Sequence, residues 1–169
     1  IEVEFTGLNV DNGGLGAQTY TVGFSREDAD TASATFTVSS VEDVQSGTAS
    51  DLDSGTGGRP PEQTQTFTVS LGDDLSTGEQ ITIDLTDTDR NSDGISYSGS
   101  ATTSSGTPGT ATFDSSAYTI SYSPDGSEVS GDTITIDITA RPDNNAVGNS
   151  YSVTFTGADG SSATDTFNV

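Results

Sequence analysis

The chain has no cysteine, histidine, lysine, methionine or tryptophan, and its only basic side chains are four arginines set against 26 acids. Without cysteine, no disulfide can hold the fold together and no thiolate can act as nucleophile or metal ligand. Without histidine or lysine, the usual general bases and Schiff-base amines are missing. There is also no Gly-x-Ser-x-Gly elbow to present a serine nucleophile, so an enzyme is not expected. Four arginines cannot neutralise a run of phosphates, which excludes nucleic acid as a partner. No stretch approaches the roughly 18 apolar residues of a membrane-spanning helix. Signal peptide and initiator Met are both absent, as expected of a processed chain. None of the asparagines is followed two places later by Ser or Thr, so N-linked sugars are not expected, whereas the Ser/Thr-rich stretch 100–112 offers sites for O-linked ones.

What the chain does have is alternation. Apolar residues fall at every second position in Ile81/Ile83/Leu85, Ile134/Ile136/Ile138 and Tyr151/Val153/Phe155, as half-buried strands require and as a disordered acidic chain would not show. Strands are predicted near residues 1–10, 18–25, 33–39, 65–71, 80–86, 94–98, 110–113, 117–122, 132–140, 150–156 and 163–169. Asp-Gly turn signals stand between them at Asp93-Gly94, Asp125-Gly126 and Asp159-Gly160. No segment sustains a 3.6-residue apolar period. The pattern predicts an all-β fold, an antiparallel β-sandwich of Ig-like or jelly-roll type with long polar loops. At 169 residues the length prior gives a single domain over residues 1–169. Two stretches, Gln45–Thr64 and Ser100–Gly109, read as long exposed loops.

Three strands repeat one another: Ile1-Glu-Val-Glu-Phe-Thr6, Ile81-Thr-Ile-Asp-Leu-Thr86 and Ile134-Thr-Ile-Asp-Ile-Thr139. A longer likeness aligns Tyr20-Thr-Val-Gly-Phe24 and Ala34-Thr-Phe-Thr-Val38 without gaps onto Tyr151-Ser-Val-Thr-Phe155 and Asp165-Thr-Phe-Asn-Val169. Residues 1–38 thus read as a copy of 134–169 with a loop two residues longer. Two origins fit, duplication of an Ig-like half or convergence on the same amphipathic string. A looser relation links Phe67–Ile81 with Tyr118–Ile134.

The best local motif is Asp87-Thr-Asp89-Arg-Asn91-Ser-Asp93-Gly94. Oxygen ligands at alternate positions before a glycine resemble the first half of a calcium loop, which would make Asp87, Asp89, Asn91 and Asp93 the ligands and calcium the cofactor. The match stops there, since the twelfth position counted from Asp89 is Ser100 rather than a bidentate Glu; the competing reading is a solvated acidic turn. Asp73-Asp74 and Asp28-Ala-Asp30 are weaker candidates of the same kind. Asp53-Ser-Gly-Thr56 reproduces an aspartic-protease string, but that chemistry needs two such carboxylates sharing a proton, and only one copy exists.

A net charge of −22 with no lysine and abundant Asp, Ser, Thr and Gly resembles the secreted proteins of haloarchaea. In broad architecture the chain also resembles archaeal surface filaments assembled by donor-strand exchange. That resemblance implies an extracellular, cell-surface structural subunit whose partners are copies of itself, joined head to tail. Residues 1–10 would be the donor strand, with Ile1, Val3, Phe5, Leu8 and Val10 as the apolar row seated in a neighbour's sheet. The competing expectation is an Ig-like adhesive or stalk domain of a larger surface or S-layer-associated protein.

Overall fold

The computed structural model describes residues 18–26, 29–38, 42–55, 60–90 and 93–169. The chain divides into two compact units, residues 1–41 and 42–169. Ile1, Val3, Phe5, Leu8 and Val10 lie outside the described residues, as does Asn91.

In the first unit, strands β1 (Gln18–Arg26) and β2 (Ala29–Val38) form an antiparallel hairpin. Tyr20 stands opposite Phe36, Val22 opposite Ala34 and Phe24 opposite Ala32, with an irregularity between Phe24 and Arg26.

The second unit is an antiparallel β-sandwich built as the alternation predicts. One sheet runs in the order β3 (Val44–Ala49), β4 (Gln63–Leu71), β9 (Thr133–Pro142), β6 (Ile95–Thr103). The other runs β11 (Ser162–Asn168), β10 (Ser150–Thr156), β5 (Ile81–Asp84), β8 (Thr119–Ser123), β7 (Thr110–Asp114). Every pairing is antiparallel. The core lies between the sheets: Phe67, Val69 and Leu71 of β4 and Ile134, Ile136 and Ile138 of β9 face Ile81, Ile83, Ile120, Tyr122, Val153 and Phe155. Among the described residues no helix is long and apolar enough to cross a membrane.

Two segments differ from the sequence reading. The first half of the supposed loop Gln45–Thr64 contains β3, paired with β4. Its strand character escapes an apolar count because the place of a large side chain is taken by Gly47. A Cβ there would stand 2.2 Å from the Phe155 ring, so the opposite sheet fills the space instead. Leu52, just beyond, is buried as well. The supposed loop Ser100–Gly109 begins inside β6, which continues to Thr103 past an irregularity between Ser98 and Thr102, where Gly99 has φ 78°. Ala101 then returns to the core.

The sheets are stitched at both edges. On one side Leu52 N–H donates to the Asn168 carbonyl (2.9 Å) and Ala49 N–H to Asp165 Oδ2 (2.8 Å), tying β3 to β11. On the other, the rings of Tyr97, Phe113 and Tyr118 meet edge to face with centroids 5.7–6.1 Å apart.

Candidate functional site

The acidic loop leaves β5 as Leu85 enters the core, and turns at once into a 3-10 segment, Thr86–Thr88. Asp84 accepts the Thr86 N–H (2.9 Å), and the buried Thr88 hydroxyl donates to the Leu85 carbonyl (2.6 Å), so the turn is closed by its own side chains. Arg90 then folds back. Its Nη2 lies 2.5 Å from Asp87 Oδ1, and its Nε donates to the Asp87 carbonyl (2.8 Å). The second oxygen of Asp87 accepts Ser152 N–H from β10 (2.8 Å). The guanidinium also sits 4.8 Å above the Tyr151 ring, a cation–π contact, while the Tyr151 hydroxyl donates to the Asp93 carbonyl. Gly94 is needed where the chain passes its own turn, since a Cβ would come within 2.7 Å of the Thr88 carbonyl oxygen.

Of the four expected calcium ligands, Asp87, Asp89 and Asp93 fall among the described residues. Asp87 is engaged through both oxygens, and the hydrogen bond from Arg90 holds its carboxyl below the usual carboxylate range despite partial burial. Asp89 lines a separate recess of about 20 Å³ together with Asp143, Tyr118 and Arg90. Asp93 contributes its carbonyl to Tyr151, and Asn91 is outside the described residues. Among the described residues no three acids gather closely enough to hold a metal ion. A cation held by Asp87 would have to replace Arg90, whose positive charge already occupies that carboxylate.

Elsewhere the acids do one recurring thing that the sequence reading missed. Asp114, Asp125 and Asp159 each stand two residues ahead of a serine, and in each case Oδ1 accepts both the serine amide and its hydroxyl. The distances are 2.8 and 2.6 Å to Ser116, 2.9 and 2.6 Å to Ser127, and 2.8 and 2.5 Å to Ser161. The serine hydroxyl and amide hold the Asp114 and Asp125 carboxyls below their ordinary range. At Asp159 burial opposes the shift, and the bonds with Ser161 and Asp43 together outweigh it. The Asp-x-Ser spacing was the available signal. Asp53, in the protease-like string, serves the same end by accepting Gly55 N–H (2.8 Å) in an exposed turn.

Among the described residues two acids are buried. Glu128 accepts the Tyr122 hydroxyl (2.5 Å) and the amides of Asp125 (3.1 Å) and Gly126 (2.9 Å), and burial with the Glu128 charge pushes the Tyr122 phenol up. Asp43, ahead of β3, accepts Asp159 N–H (2.9 Å) while its own amide donates to Asp159 Oδ2 (3.3 Å). Burial first, and then the nearby Asp159 and Glu79 charges, raise the Asp43 carboxyl.

No protein-family model and no curated protein matches the sequence. Solved structures of similar fold include the serine-rich repeat adhesion glycoprotein Srr1 of Streptococcus agalactiae, 13% identical over 76% of this chain and 48% of that one, with a TM-score of 0.43. The serine-rich repeat protein Srr2 of the same organism is 20% identical over 75% and 45%, with a TM-score of 0.41. A non-cellulosomal cohesin from the archaeon Archaeoglobus fulgidus is 14% identical over 73% and 90%, with a TM-score of 0.34. The chain spans about half the length of the two streptococcal proteins. Likenesses this loose carry no argument about what the chain does.

Proposed function

We propose that the 42–169 sandwich is a non-catalytic structural module of an extracellular surface protein, a stalk or adhesive domain adapted to high salt. The observation that supports this reading is the disposition of the carboxylates. A catalytic or metal site gathers acids, whereas here Asp53, Asp84, Asp114, Asp125 and Asp159 are spread one to a turn, each bound to that turn's own amides. Such a molecule spends its acids on rigidity and surface charge. Its two sheets are tied together by β3 and β11, so the ends of the sandwich are bonded to each other rather than free. Labelling intact source cells with antibody raised against the full chain tests the reading. Label on the cell surface or its appendages is expected, and label seen only after permeabilisation would overturn it.

A second reading has its own observation. Ile1–Thr6 repeats the sequence of Ile134–Thr139, and that stretch of β9 lies in the interior of its sheet, hydrogen-bonded to β4 and β6. A strand of this composition is therefore a good sheet member, and residues 1–10, with Ile1, Val3, Phe5, Leu8 and Val10, would serve as a donor to a neighbouring copy in a filament. Electron microscopy of the chain with and without residues 1–10 in concentrated salt decides this reading. Filaments that need those residues favour it, and filaments that persist without them, or none in either sample, count against it.

A further inference from the structure

The hairpin β1–β2 is a structural copy of β10–β11. Tyr20 opposite Phe36 matches Tyr151 opposite Phe167, Val22 opposite Ala34 matches Val153 opposite Asp165, and Phe24 opposite Ala32 matches Phe155 opposite Ala163. The gapless sequence alignment is thus also an alignment of strand register. The ring pairs agree too: Tyr20 and Phe36 stack at 5.5 Å and 21°, Tyr151 and Phe167 at 5.6 Å and 27°. Convergence on an amphipathic string would give two strands of similar composition. It gives no reason for the same cross-strand partners, the same ring pair and the same eight-residue spacing from Phe24 to Ala32 and from Phe155 to Ala163, although β1–β2 has an irregularity between Phe24 and Arg26 that β10–β11 lacks.

The two copies differ in what covers them. Tyr151, Phe155 and Phe167 are 0% exposed, whereas Tyr20, Phe24 and Phe36 are 38, 42 and 40% exposed. Among the described residues the sheet of this hairpin has two strands, which by themselves are marginal in water, and its exposed aromatic patch marks an interaction surface. The buried copy shows what such a hairpin needs. Its first strand pairs with β5, placing Phe155 opposite Ile83, and Phe155 meets Phe67 edge to face at 6.5 Å above the space left by Gly47. Tyr151 is covered by Arg90. Those partners come from residues 42–133, and in the 42–169 sandwich their seat is already filled.

Spacing identifies the missing partner. Tyr151 and Val169 each follow their matches, Tyr20 and Val38, by 131 positions, and this period contains one sandwich, residues 42–169. The likeness also extends upstream, where the sequence Ile1–Thr6 repeats that of Ile134–Thr139 in β9. We infer that β1–β2 is the closing hairpin of a second sandwich of the same repeat. Its aromatic face is then covered by a segment equivalent to residues 42–133 lying earlier in the same polypeptide, and the protein is a tandem array. The inference rests on register and period, and is independent of whether the module serves as a stalk.

The test completes the hairpin's sandwich by copying residues 42–133 ahead of residue 1 of the full chain. In the extended chain, amide exchange at Val22, Phe24, Ala32 and Ala34 should slow at least about a hundredfold, to the level of Val153, Phe155, Ala163 and Asp165. Phe24→Ser should reverse that protection without affecting the original sandwich. Two results would overturn the proposal. One is unchanged hairpin exchange although the added strands are folded. The other is hairpin protection in the 169-residue chain that rises with protein concentration alongside a dimer, which would assign the face to a second molecule. A further measurement does not depend on the extended chain folding. The native polypeptide, sequenced upstream of Ile1, should repeat the pattern of Phe67-Thr-Val-Ser-Leu71 and Ile81-Thr-Ile-Asp-Leu85 one period earlier, and an unrelated sequence there would refute the array.

Discussion

Replacing Gly47 by alanine would place a methyl 2.2 Å from the fully buried Phe155 ring, which also meets the Phe67 ring edge to face. Overpacking of this kind costs about 1–3 kcal/mol, so G47A should lower the denaturation midpoint without changing its slope. Glu128 acts by the opposite logic. It is a buried acid, and it accepts from a phenol and two amides at once. Glu128→Ala leaves the two amides without their acceptor, while the Tyr122 hydroxyl keeps the Pro108 carbonyl, at a cost of about 1–3 kcal/mol; Glu128→Gln keeps an acceptor oxygen and should lose less. Equal losses in the two variants, measured by urea unfolding, would mean that packing rather than hydrogen bonding is what Glu128 supplies.

The turns and strands differ in how openly the sequence announces them. β5, β9 and β10 were legible because each alternates large apolar residues with polar ones and buries one face, and their observed bounds fall within a few residues of the pattern. The strand β3 was not legible, since Val44 is its one large apolar residue and its central contribution is the absence of a side chain. The likeness of Phe67–Ile81 to Tyr118–Ile134 spans strands that change sheet in opposite senses, β4 to β5 and β8 to β9, which a linear string cannot reveal. At the acidic loop, alternation of Asp was readable, but the role of Arg90 was not, because it lies over Tyr151 of a distant strand while Ser152 of that strand donates to Asp87. Asp87 and the Asp-x-Ser turns together predict a pH profile. Asp87, Asp114 and Asp125 are held below the ordinary value of 3.8, so each stabilises the fold above that pH and loses its contribution as pH falls through its own lower value. Asp43 is raised, so its charged form costs stability at neutral pH, and that cost is relieved as pH falls through its value toward 3.8. Melting temperature in high salt should therefore rise modestly on mild acidification and drop below about pH 3.8. Asp43→Asn should remove the rise and leave the drop.

At the scale of the molecule, 26 acids against four arginines set the conditions under which the fold can exist. The Debye length is about 10 Å at 0.1 M salt and about 3 Å at 1 M, so self-repulsion among surface carboxylates is largely removed only in concentrated salt. Thermal melting should climb by many degrees between about 0.1 M and 3 M potassium chloride, with most of the gain below about 1 M. A flat response would show that the charge is not a salt adaptation. Within that solvent one hairpin design occurs twice in this chain, and among the described residues only the β10–β11 copy is covered. Amide exchange of the 169-residue chain in molar salt, at a concentration where it is monomeric, tests this difference. The prediction is that Val153, Phe155 and Ala163 exchange only through global opening of the sandwich, while Val22, Phe24 and Ala32 exchange faster by at least about a hundredfold. Equal protection of the two hairpins in the monomer would contradict it.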